Sequence, residues 1–125
     1  MDKLKFISDQ MDAIAVPYEF MQWTSEVKYP YFVGEITEEP TMTEDGLEES
    51  TMLLTGFSRG KFLDLETVKE RIKSHFSPIY GLTGQTDSGS TIAVFFDGSF
   101  YIPTGEADLK KIQINLKIKL WKGAV

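Results

Sequence analysis

From Ile112 to Leu120 apolar and polar residues alternate without a break. Ile112, Ile114, Leu116, Ile118 and Leu120 point one way; Gln113, Asn115, Lys117 and Lys119 point the other. A period of two puts successive side chains on opposite faces of a strand, so this segment predicts a strand with one buried and one wet face. Elsewhere the period becomes helical. Leu4, Ile7, Met11 and Ile14 recur every three or four residues and predict a helix over about 3–14, which Pro17 prevents from continuing. Leu65, Val68, Ile72 and Phe76 form a second apolar stripe, with Lys69, Glu70, Arg71 and Lys73 turned to water. Asp64 is the expected N-cap of that helix, Glu66 suits its first turn, and Pro78 follows its end.

The remaining apolar runs read as strands. Tyr18 to Trp23 is short and aromatic. Tyr29-Pro30-Tyr31-Phe32-Val33 and the run from Thr51 to Ser58 should pair antiparallel, because Tyr31, Val33, Leu53 and Thr55 suit a pleated surface. Asp45-Gly46 is the expected turn between them. Thr91 to Phe96, the Asp97-Gly98 pair and Ser99 to Ile102 predict a β-hairpin ended by Pro103, while 81–90 is polar and glycine-rich and predicts a loop. With no repeat or linker, residues 1–125 predict a single α+β domain. Its sheet is expected to be antiparallel with two helices packed on one face, and a long β-hairpin arm should project through a loop at about 35–49.

Charge changes this picture most in that loop. Glu35, Glu38, Glu39, Glu44, Asp45, Glu48 and Glu49 are seven of the 19 acids, and no base stands among them. Lys110, Lys111, Lys117, Lys119 and Lys122 crowd the C-terminal segment. An arm that repels itself suggests a partner surface, and two segments of opposite sign suit contact between copies of one chain. Glu38, Glu39, Glu44, Asp45, Glu48, Glu49, Lys117 and Lys119 are therefore the candidate interface residues. The net charge of -6 argues against general nucleic-acid binding, whose affinity rests on neutralising phosphates. A hydrophobic share of 42% supports a packed core, and no apolar run reaches the length of a membrane helix. The absence of cysteine excludes disulfides and thiolate chemistry and suits a reducing cytoplasm; Met1 to Lys5 lack the apolar core of a signal peptide.

Catalytic signals are sparse. His75 is the only histidine, and no motif places a nucleophile or an orienting carboxylate beside it. Counting Gly46 as the sixth position of a calcium loop puts Thr41 and Met52 where carboxylates are needed, so that site is rejected; a looser one would use Glu44, Asp45, Glu48 and Glu49. The glycines match neither dinucleotide nor P-loop spacing. Arg59-Gly60-Lys61 offers an anion site, and Phe20, Trp23, Tyr29, Tyr31 and Phe32 offer either core packing or the lining of a ligand pocket. No catalytic, cofactor or metal residue is expected.

The order of these elements resembles the tail terminator (tail completion) proteins of long-tailed bacteriophages. The resemblance rests on an opening helix, the Pro-Tyr strand at Tyr29 to Val33, a long hairpin, and a strand at Met52 to Phe57 leading into the helix that contains Leu65 to Ile72. A late hairpin and the alternating strand Ile112 to Leu120 complete it, over about residues 3 to 121. It implies a non-enzymatic subunit that forms a ring, commonly a hexamer, on the tail tube. That ring would end tube polymerisation and present a surface to head-completion proteins. The implied partners are further copies of the chain, the tube protein and the head-completion protein. The implied location is the virion, assembled in the host cytoplasm. Another head-tail connector or minor capsid protein, or a small-molecule-binding α+β domain, are the alternatives.

Overall fold

The computed structural model describes residues 2–21, 26, 29–39 and 46–121. In chain order these form α1 (Asp2–Ala13), β1 (Tyr18–Phe20), β2 (Tyr31–Glu39), β3 (Leu47–Arg59), α2 (Phe62–His75), β4 (Leu82–Gln85), β5 (Thr91–Ile102) and β6 (Leu109–Trp121). One six-stranded sheet runs in the order β1-β2-β3-β6-β5-β4 and curls into a half-barrel. The chain is a single α+β domain, as its patterning predicts.

Both helices follow their apolar stripes. Ile7 and Met11 of α1 and Leu65 and Ile72 of α2 are fully buried. The end of α1 is a complete left-handed stop: Ala15 adopts φ 57, its amide bonds to the Asp12 carbonyl at 3.1 Å, and the Val16 amide reaches the Met11 carbonyl at 2.9 Å. Arg71 Nη1 donates to the carbonyls of Ile14 and Ala15 at 2.9 and 3.1 Å, tying α2 to the end of α1. The N-cap of α2 is Lys61, with no side-chain cap, and Asp64 lies inside the first turn, where its charge still meets the helix dipole. The Asp64 cap expected from the sequence is thus one turn too late.

The sheet is mixed, not purely antiparallel. β1 runs parallel to β2, pairing Tyr18 with Phe32 and Phe20 with Gly34, while all other pairs are antiparallel. The expected hairpin over Thr91–Ile102 is one strand. Asp97-Gly98 forms a bulge in the register between Phe96 and Ser99, with Gly98 at φ 111. An Asp-Gly pair supplies positive φ to a bulge as readily as to a turn, and both halves of β5 find the same long neighbour, β6. The stretch 81–90 also differs, because Leu82–Gln85 pairs with Thr91–Val94 as an edge strand, leaving only Thr86 to Ser90 as the turn.

Strand alternation divides the sheet into two faces. Met52, Leu54, Ile112, Ile114, Leu116, Ile118 and Leu120 are buried and share one core with Ile7, Met11, Leu65, Val68, Ile72 and Phe76. Phe32 belongs there too, lying flat over its cross-strand partner Gly56, where a Cβ would come within 2.3 Å of the ring. The intervening positions on β3 and β6 are all half-buried, and they make the second, open face.

Candidate functional site

The open face is aromatic at one end. Tyr31 of β2 stacks on its cross-strand neighbour Phe57 of β3, with centroids 5.1 Å apart and planes 25° apart. Tyr29 extends the row, 5.5 Å from Tyr31. A cation borders each outer ring. Arg59 lies 5.7 Å from the Tyr29 centroid, and Lys111, the β6 partner of Phe57, lies 5.6 Å from the Phe57 centroid. Beside the row is an open depression of about 320 Å³ lined by Met21, Tyr31, Val33, Glu35, Thr55, Phe57 and Lys111. Burial raises the Tyr31 phenol pKa, as does Tyr29 beside it, while Arg59 opposes the shift. The phenol therefore stays neutral and able to donate a hydrogen bond.

Alternation also sorts the proposed pocket aromatics. Tyr31 lines the depression and Tyr29 meets the Tyr31 ring at a tilt, but Phe32 turns into the core, and Phe20 packs against the same core. Trp23 lies outside the described residues. Arg59 is committed within the chain, since Nη1 lies 2.8 Å from Asp108 Oδ2 and Nε donates to Tyr29 Oη at 3.3 Å. The Arg59-Gly60-Lys61 anion site therefore has its guanidinium already neutralised by a carboxylate.

The acidic and basic candidates meet inside one chain. Glu49 of β3 stands opposite Lys119 of β6 in the ladder, and Lys117 Nζ lies 3.6 Å from Glu49 Oε2. Lys119 also reaches the Phe95 ring at 5.9 Å. Glu38 pairs with the buried Lys3 at 2.8 Å. Glu48 is opposite Leu120, and Glu39 is opposite Glu49 across the β2–β3 ladder. Separation in sequence is therefore not separation in space, because β3 and β6 are neighbours. Residues 35–39 and 47–49, expected within a projecting loop at about 35–49, are ladder residues instead. Glu44, Asp45 and Lys122 lie outside the described residues, as does the first half of the expected Asp45-Gly46 turn, whose Gly46 has φ 74.

His75 Nε2 lies 2.7 Å from Gln10 Oε1 and its ring sits edge-on to Phe76, so it bridges the two helices. Among the described residues, no three His, Cys, Asp or Glu side chains converge as metal ligands would. A second aromatic group stands at the start of α2, where Phe62 meets Tyr101 edge-on at 5.1 Å and Lys110 lies 4.8 Å over Phe62. Tyr101 Oη and Lys69 Nζ both donate to the Glu66 carboxylate. Those bonds, that of Lys69 first, hold Glu66 below the usual carboxylate range, while burial and then Glu66 push Tyr101 up to about 12.

Neither a protein-family model nor a curated protein matches this chain. Its own geometry must carry the functional reading. The open face was missed in the sequence because its members come from three strands, yet one signal was present. Leu53 and Phe57 occupy β3 positions that a wet face would fill with polar residues.

Proposed function

We propose that this chain is a non-enzymatic structural subunit that assembles with copies of itself into a ring, as the tail terminator proteins it resembles do. In this reading the ring, a hexamer, caps the phage tail tube within the virion, ends its growth and receives the head-completion protein. The observation that carries the proposal is the open sheet face. Stacked aromatics bordered by cations, left half-buried by their own chain, are the composition of a protein contact. Both helices then form one layer behind the buried face, and the connection between β2 and β3 is the contact arm. The partners are other copies of the chain, the tube protein and the head protein; no cofactor, membrane or specific nucleic acid takes part.

The test is assembly. Added to polymerising tail-tube subunits, the protein should shorten the tubes and appear as a ring at one end in negative-stain images. Tubes of unchanged length, with the protein monomeric at every concentration, would refute the proposal. A second reading has one specific support, because the 320 Å³ depression falls within the size of small-ligand sites. A ligand screen that raises the melting temperature of a monomeric protein, with the rise abolished by Tyr31→Ala, would favour that reading.

A further inference from the structure

Three consecutive apolar residues, Pro78, Ile79 and Tyr80, are exposed on the turn between α2 and β4. Ile79 is 76% exposed and Tyr80 81%. Such a run on a water-facing surface is unfavourable unless something covers it. The turn is also braced. Ser77 Oγ accepts hydrogen bonds from the Ile79 and Tyr80 amides at 3.2 Å each, and the Gly81 amide donates to the Ser77 carbonyl at 2.9 Å. Gly81 closes it at φ 68, with the Phe95 ring so near that a Cβ would lie 2.7 Å from it. One residue before the turn, the Phe76 carbonyl accepts the Phe96 amide at 2.9 Å, which fastens the turn to β5. A knob already ordered loses little conformational entropy when it is buried.

Resting on the self-assembly reading above, we propose that the Ile79–Tyr80 knob of one copy inserts into the Tyr31–Phe57 depression of a second copy. The fit is of size, chemistry and place. The depression holds about 320 Å³, enough for these two side chains, and its walls include Val33, Tyr31 and Phe57. Glu35 and Lys111 on its lining give the Tyr80 hydroxyl a polar partner, which a buried phenol requires. Exposed Asp97 follows the Phe96 anchor on the knob side, opposite in sign to Lys111 on the receiving side. The depression spans β2, β3 and β6, whereas the knob adjoins β4 at the far edge of the sheet. Each copy therefore gives with one surface and receives with another. Contacts between unlike patches build rings or chains instead of closed pairs.

Sedimentation velocity over a concentration series tests this, using the wild type, a knob variant (Ile79→Asp with Tyr80→Ser) and two receiving-side variants, Thr55→Arg and Lys111→Glu. The wild type should form larger species as concentration rises. Loss of a central apolar anchor should weaken association of the knob variant by at least about 30-fold with an unchanged thermal melt. An equimolar mixture of the knob variant and Thr55→Arg should form one-to-one dimers and nothing larger, since only one competent contact remains. Lys111→Glu repeats the measurement with the lining unfilled should Thr55→Arg disturb the sheet. A knob variant that assembles like the wild type would overturn the knob contact and leave self-assembly intact. A wild type that remains monomeric throughout would remove both.

Discussion

Replacing Gly56 by alanine is the sharpest probe of how the sheet holds its two faces apart. The new Cβ would lie 2.3, 2.6 and 2.9 Å from Cε2, Cζ and Cδ2 of Phe32, well inside ordinary contact distance. The ring must move by roughly 1 Å, and Phe32 is fully buried, where protein interiors are close-packed. Overpacking of this kind costs about 1–3 kcal/mol, and the lower backbone entropy of alanine returns about 0.5–1 of that. A net loss of about 1–2 kcal/mol is expected, read by urea unfolding followed by tryptophan fluorescence. The cause is tested by Phe32→Leu in a double-mutant cycle. A smaller side chain leaves room for the alanine methyl, so the double variant should be more stable than the sum of the single losses by about 1 kcal/mol. Additive losses, or a Gly56→Ala variant as stable as the wild type, would refute the ring-on-glycine account of the core. The probe bears on the site because Tyr31, Val33, Thr55 and Phe57 flank this pair on the opposite face.

Ala15→Gly should raise stability by about 0.5–1 kcal/mol in the same unfolding assay, because Ala15 occupies a left-handed position that glycine enters without strain; a loss would mean that the methyl makes a contact worth more. Tyr18 Oη is buried without a hydrogen-bond partner, so Tyr18→Phe should be neutral or stabilising by up to about 1 kcal/mol, and a loss above 1 kcal/mol would reveal a partner. Burial pushes the Tyr18 phenol up to about 12. A folded pKa above the unfolded value of about 10 gives stability that is complete below pH 10 and lost as pH rises towards 12. Ultraviolet titration should accordingly show a late tyrosinate step that Tyr18→Phe reduces. Glu38→Gln should destabilise by about 1 kcal/mol in urea unfolding, since it leaves the buried Lys3 ammonium facing a neutral amide; an unchanged midpoint would show the pair to be inert.

Periodicity disclosed what periodicity encodes. The alternation from Ile112 to Leu120 and the Leu65–Phe76 stripe translate directly into β6 and α2, because each pattern has one solution that buries its apolar side. Where one local signal serves two geometries, the sequence alone could not choose. Asp97-Gly98 fits a turn and a bulge alike, and only the length of β6 decides between them. The parallel β1 depends on a non-local pairing that no window of the chain contains. The site was obscured for the same reason. Glu49 and Lys117 are 68 positions apart and become neighbours through the β3–β6 ladder, so charges that looked like two patches form an internal pair.

The shortness of β1 has an outcome for solubility. It covers only Phe32 to Gly34, so no described strand flanks the outer side of β2 from Glu35 to Glu39. Bare sheet margins invite the same margin of another molecule, the first step towards amyloid-like stacking. Here that margin is bordered by charge on both faces, with exposed Glu35 on the open face and the Glu38–Lys3 ion pair on the other, and strand addition would have to desolvate these groups. Charged residues at this position are gatekeepers that discourage open-ended strand addition.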